Sequence, residues 1–249
     1  MSVRYVLNGL NTDIPASELP PDTWTGVANA LNRDGFMRRT RAYTVIQSIT
    51  NGPRWGLQVG QGAATSLVVL GADVVTVNGT TQGVRTPASG YTAPTSLAQC
   101  SGGVINNRAV ICTQAVGGGW YWQAISGAGL FLPLPGWTAQ FATDACQVMR
   151  CWKQHIFAAN FPAGSDALAW SSAATTTGGI PTEWVPSSTN DARLIYLGDT
   201  AGGIVDLIPL RDSLIVFKRQ SMYTLQFIGG AFVFSSRKVT ESFGVMAKN

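Results

Sequence analysis

The chain's single histidine, His155, would have to serve every histidine-dependent mechanism. It opens an apolar run, Ile156-Phe157-Ala158, beside Lys153 and Gln154, where a ring nitrogen bonded to backbone or water is the ordinary role. A Ser-His-Asp triad needs a nucleophile set on a sharp turn, and no Gly-x-Ser-x-Gly occurs. Cys146, Cys151 and His155 lie close together, yet their spacing matches no zinc signature and supplies no fourth ligand. The carboxylates Asp73, Asp144, Asp166, Asp191, Asp199, Asp206 and Asp212 sit mostly in turn-like stretches. Gathered at one end of a propeller axis, such groups could act as general acid and nucleophile on a glycoside. Asp is also a common turn residue because its side chain bonds backbone amides two positions on, and that is the expected role here. Gly60-Gln61-Gly62 and Gly117-Gly118-Gly119 join strand to strand, so they offer a phosphate no helix N-terminus. These residues predict no catalytic centre, no metal site and no cofactor.

The elements that would position any site repeat along the chain. Apolar runs around Leu67, Val110, Ile156 and Leu214 start 43, 46 and 58 positions apart. Each is followed by a second run, around Val74, Tyr121, Leu168 and Met222, with spacings of 47, 47 and 54. Several strands per unit at this period is a propeller-blade signature. Asn78-Gly79 and the triple glycine at 117–119 supply hairpin turns. A third run is read at Leu130–Leu134, Thr182–Pro186 and Ala231–Phe234, with a non-strand insertion over 187–203. No amphipathic helix of ten residues or more is visible, so the chain is expected to be all-β: a propeller-like array of antiparallel blades over 51–249, with about four modules. Trp55, Trp120, Trp122, Trp152, Trp170 and Trp184 recur in or beside predicted strands, where large rings fill the space between blades.

Residues 1–50 differ. Asn8-Gly9, Asn11–Pro15 and Leu19-Pro20-Pro21-Asp22 are turn and polyproline signals. They predict an extended N-terminal arm whose anchors and neighbour contacts are Leu10, Ile14, Leu19 and Trp24. A tight turn at Arg33–Phe36 leads into the first strand. The basic cluster Arg33, Arg38, Arg39 and Arg41 is diluted by Asp34 and reads first as a solvated or interfacial face, with a DNA-channel role as its functional counterpart.

Composition narrows the class further. Of 249 residues only 12% are charged, about half the usual share. A β protein so poor in charge is expected to meet other protein over much of its surface, as in a homo-oligomer. The formal net charge of +4 announces no nucleic-acid affinity. The first residues carry no long apolar h-region and no apolar stretch approaches a membrane span, so cytoplasmic synthesis with reduced thiols is the default expectation.

One stretch resembles a known family. Ala169-Trp170-Ser171-Ser172, Glu183-Trp184, Ala201–Val205, Leu210–Lys218, Ser221–Gly230 and Phe232-Val233-Phe234 look like the packaged-DNA stabilisation, or tail hub and nozzle, proteins of short-tailed bacteriophages. The arm is similar in style, with Gly9–Pro15, Leu19-Pro20-Pro21, Trp24, Asn29 and Arg33-Asp34-Gly35 in order. Two departures stand out: Asn190-Asp191-Ala192-Arg193 replaces an expected Ala-Gly pair, and family members usually continue beyond four modules.

The resemblance implies a virion structural protein without catalysis, made in the host bacterial cytoplasm. It would form a ring, usually of six copies, beneath the portal and its adaptor, retaining packaged DNA and conducting it on ejection. It implies contacts with the adaptor and other tail proteins, and transient non-specific contact with genomic DNA. Low charge suits such a conduit, because each strong phosphate contact would resist sliding. The rival reading is a glycan-binding or glycan-cleaving propeller at a cell surface. A monomeric peptide-docking propeller is a third.

Overall fold

The computed structural model describes residues 48–49, 51–60, 65–79, 81–114, 118–122, 129–174, 179–229, 233–241 and 243–246, and the backbone of short strands at 9–10, 23–24, 30–33 and 36–39. The chain divides into two compact units, Met1–Ile46 and Gln47–Asn249. In the first, β1 (Gly9–Leu10) pairs in parallel with β2 (Thr23–Trp24). There too, β3 (Ala30–Arg33) forms an antiparallel pair with β4 (Phe36–Arg39), Arg33 opposite Phe36.

The second unit is a series of four sheets, each of four antiparallel strands that follow one another in sequence. Blade 1 contains β5 (Trp55–Val59), β6 (Ser66–Leu70), β7 (Val74–Asn78) and β8 (Thr81–Val84). Blade 2 contains β9 (Ser101–Ile105), β10 (Arg108–Cys112), β11 (Gly119–Tyr121) and β12 (Leu132–Pro133). A five-residue helix, α1 (Trp137–Phe141), precedes blade 3, which contains β13 (Val148–Trp152), β14 (His155–Phe161), β15 (Gly164–Trp170) and β16 (Arg193–Tyr196). Blade 4 contains β17 (Ile204–Leu210), β18 (Ser213–Lys218), β19 (Met222–Phe227) and β20 (Phe234–Thr240). The chain is therefore all-β with propeller-like blades, as its period predicts. The two apolar runs of each repeat are the second and third strands of a blade.

Side-chain alternation explains the packing. In β10, Ala109 and Ile111 join the core shared with blade 1, while Val110 and Cys112 join the core shared with blade 3. In β14 and β15, Ile156, Ala158, Ala167 and Ala169 face blade 2, while Phe157, Ala159, Leu168 and Trp170 face blade 4. Strands buried on both faces read as continuous apolar runs, which is why these were the visible ones. The first strands of successive blades pack together, β9 on β13 and β13 on β17. Gly103 permits the first contact: a Cβ there would fall 2.8 Å from the Cys151 backbone nitrogen. Tight hairpins drive the meander. Asn106-Asn107 and Lys153-Gln154 both hold positive φ, the left-handed turn that matches strand twist.

Four expectations need correction. Thr182–Pro186 forms no strand; Trp184 instead plugs an aromatic cluster, its ring centroid 4.9 Å from that of Trp137 and 5.7 Å from that of Phe141. Pro181 and Pro186 lack the N–H groups a ladder requires. The fourth strand of blade 3 is β16, which lies inside the segment 187–203 read as non-strand. Of the run read at Ala231–Phe234, Ala231 and Phe232 lie outside the described residues; the closing strand of blade 4 is β20, which begins at Phe234 and continues through the exposed polar run Ser235-Ser236-Arg237. At Leu130–Leu134 the paired strand is confined to Leu132–Pro133.

Candidate functional site

The crossovers into blades 3 and 4 converge with the end of β14, the start of β15 and the residues just after β10 and β18. They frame a cleft of about 590 Å³. Its polar lining comes from Gln114, Gln147, Asn160, Ser165 and Arg219, and its apolar lining includes Val148, Ile204 and Met246. Gln114 and Asn160 reach it from left-handed backbone, φ 58° and 59°. The Gln114 Nε2 donates to Ala98 O at 3.1 Å, and the Asn160 Nδ2 donates to Gln147 Oε1 at 3.2 Å and Ile204 O at 2.7 Å. A Cβ at Gly203 would meet Ser165 Cβ at 2.8 Å, so bare backbone is needed there. Among its described lining residues, Arg219 is the sole charged group. Amides and a guanidinium can hold a polar or anionic ligand, but this lining contains no carboxylate, imidazole or thiol to move a proton.

The titratable groups singled out in the sequence are dispersed along the blades. His155 is buried under the edge of Phe234, with Nδ1 2.5 Å from Lys153 O and Nε2 2.9 Å from Asp191 Oδ2. The other Asp191 oxygen accepts the Ala173 N–H at 2.9 Å, and the Asp191 carbonyl accepts Trp170 Nε1–H at 2.8 Å. Burial alone would raise the Asp191 pKa, but the hydrogen bonds from His155 and Ala173 outweigh it and hold the carboxyl below its usual 3.8. Its stabilisation is therefore complete above the ordinary carboxylate range and is lost as pH falls through the lowered folded value. Asp191→Asn should lower the melting temperature at pH 7, with the gap to wild type closing as the pH falls below 3.8. A gap that persists unchanged in acid would contradict this.

Several of the other carboxylates have separate structural partners. Asp73 accepts from Thr86 Oγ1 at 3.1 Å, and Asp212 pairs with Lys153 at 3.3 Å. Asp206, on the first strand of blade 4, pairs at 2.7 Å with Arg150, on the first strand of blade 3. Among the described residues no group of three His, Cys, Asp or Glu could hold a metal ion. Of the six tryptophans expected between blades, Trp120, Trp122, Trp170 and Trp184 are buried, while Trp55 and Trp152 are half-buried against the cores; Trp137 is buried as well.

Sequence reasoning missed the most unusual ion. Lys218 ends β18 fully buried, its Nζ donating to Leu197 O and, at 2.6 Å, to Thr200 O. Tyr223 lies beside it, its ring centroid 6.0 Å from Nζ and its hydroxyl bonded to Asp199 and, at 3.0 Å, to Thr200 Oγ1. Desolvation lowers the Lys218 pKa despite the nearby Asp166 and Asp199 charges. The ammonium thus clamps the crossover between blades 3 and 4. Its alternation with Leu214 and Val216 was the available signal, since that places Lys218 on the inward face.

The residues expected to make neighbour contacts, Leu10, Ile14, Leu19 and Trp24, and the basic cluster Arg33, Arg38, Arg39 and Arg41 all have side chains outside the described residues. No helix among the described residues is long and apolar enough to cross a membrane. The fold defines a class, the all-β arrays of serial antiparallel blades. No model of a known protein family matches the chain, and no curated protein matches it either.

Proposed function

We propose that the chain is a structural subunit of a short-tailed phage tail hub or nozzle, part of the channel that retains packaged DNA and conducts it on ejection. The observation that carries this reading is one face of blade 4 that the described residues leave largely exposed. There Ile208 and Leu210, 47% and 58% exposed, stand beside the half-buried Ile215, Phe217 and Met222, and beside Val239 at 56%. The opposite face of the same sheet is packed against blade 3 through Leu207, Leu214 and Val216. An exposed apolar strip on a sheet face in a protein with so few charges suits a permanent neighbour. The resembling segments also lie together. Leu210–Lys218 supplies the hairpin and second strand of blade 4, and Ser221–Gly230 spans its third strand.

Purified protein imaged by negative-stain microscopy should form rings, and the same chain should be found in tails of the parent particle. A persistent monomer absent from particles would overturn the proposal. The glycan-binding alternative is favoured by the cleft, with its amides and Arg219. It predicts saccharide binding to the isolated protein that Arg219→Ala weakens at least tenfold, roughly 1.4 kcal/mol. No binding across a glycan panel would remove it.

A further inference from the structure

Cys112 ends β10 of blade 2, and Cys146 lies in the crossover that follows α1 and leads into β13 of blade 3. Both side chains are fully buried in the core between these blades, with their Sγ atoms 3.6 Å apart. The Cys112 Sγ also donates to the Cys146 carbonyl oxygen at 3.2 Å, so the two backbones as well as the two sulfurs are close. A disulfide bond is about 2.05 Å long, so an approach of about 1.5 Å, within reach of side-chain rotation and small loop movement, would join them.

We propose that Cys112 and Cys146 form a latent disulfide staple that locks blade 2 to the start of blade 3 when the protein meets a low-molecular-weight disulfide oxidant. In the first step, one cysteine thiolate attacks a sulfur of oxidised glutathione. A protein–glutathione mixed disulfide forms and one glutathione thiolate leaves. In the second step, the other cysteine, deprotonated, attacks the protein sulfur of that mixed disulfide and expels the second glutathione. The protein pair loses two electrons and its two thiol protons, and the oxidant is reduced to two glutathione thiols.

Selectivity and access follow from the surroundings. Cys100 lies in a different core, between blades 1 and 2, with its thiol directed at Ser96 O. Cys151 stands on β13, where a Cβ at Gly103 of β9 would fall 3.0 Å from its Sγ, so its sulfur is packed against the first strand of blade 2. Gln114 and Gln147, two and one positions after the pair, both line the cleft, so the sulfurs lie just behind its wall and an oxidant would reach them by a local opening there. The bond would close a loop between positions 34 apart, restricting the unfolded chain while spanning a blade interface. This inference is independent of the assembly reading.

The test is to refold the intact chain once in oxidised glutathione and once in a dithiol reductant, block remaining thiols by alkylation, digest without reduction, and analyse by mass spectrometry. The expected product is a linked peptide pair holding Cys112 and Cys146, lighter by the two thiol hydrogens. The melting temperature should rise by roughly 5–10 °C and fall back on reduction. Cys100→Ser should retain the link and Cys112→Ser should lose it. If Cys112→Ser does not fold, the wild-type peptide map still decides the matter. Cys112 and Cys146 both recovered alkylated, a link to Cys100 or Cys151 instead, or a linked protein with a lower melting temperature would each overturn the proposal.

Discussion

Arg150→Met is expected to destabilise the second unit by about 3–5 kcal/mol, the largest single-residue effect anticipated in this protein. The guanidinium binds Asp206 at 2.7 Å, Leu207 O at 3.1 Å and Met149 O at 3.0 Å, joining the first strands of blades 3 and 4. Asp206 is buried and has few other partners, principally the Leu207 N–H at 2.8 Å. Truncating Arg150 leaves a carboxylate stranded in a poorly solvated seam, and that penalty exceeds the worth of the pair itself. The double variant Arg150→Met with Asp206→Leu should therefore recover most of the loss, because two apolar groups in the same seam leave no orphaned charge. Denaturant unfolding of wild type, both single variants and the double variant checks this as a cycle. A double variant no more stable than Arg150→Met would show that the seam depends on the arginine's packing rather than on charge pairing.

Lys218→Met should cost about 3 kcal/mol, or about 8 °C in melting temperature for a unit of this size. Methionine keeps most of the side-chain volume, so the loss isolates the ammonium. Without it, the Leu197 and Thr200 carbonyls become unsatisfied acceptors in a buried loop turn. The cost is moderated because the buried ammonium is itself disfavoured, as the downward direction of its pKa indicates. Lys218→Arg should not rescue stability, because a planar fork cannot occupy a pocket shaped for a compact ammonium. Thermal melts of the three proteins give the answer, and a loss below about 1 kcal/mol for the methionine variant would show that water replaces the ammonium at those carbonyls.

The clarity with which each blade could be read depended on its burial. In the second and third strands of the inner blades, residues alternate between two apolar cores, so His155–Phe161 and Arg108–Cys112 read as unbroken apolar runs. Fourth strands lie at the outer edge, where one side of the ladder meets solvent and polar residues suffice. For that reason Arg193–Tyr196 resembled a loop and Phe234–Thr240 was found only at its first residue. Thr182–Pro186 misled in the opposite direction, because Trp184 is apolar for the sake of the cluster around Trp137 rather than for a ladder.

The candidate sites were less legible. Core roles for most of the tryptophans follow from residue type alone, whereas the turn role read for the aspartates does not hold throughout: Asp166 and Asp206 stand on strands, and Asp191, Asp199, Asp206 and Asp212 bind side chains of distant segments. Arg150 and Asp206 are separated by a whole blade in sequence, and only the packing of β13 on β17 unites them. Likewise Cys112 meets Cys146, rather than the nearer Cys100, because alternation along β10 turns Cys112 toward blade 3. The cleft has left-handed backbone at Gln114 and Asn160, a conformation common for Asn but not announced by Gln, nor by an Asn set inside an apolar run.

By itself the amino-acid sequence determined the period, the strand-rich class and the identity of the most buried strands, because these follow from local hydrophobic patterning repeated along the chain. The tertiary structure alone decided which ions share a seam and which thiols touch, because each depends on residues from different blades being brought to one place.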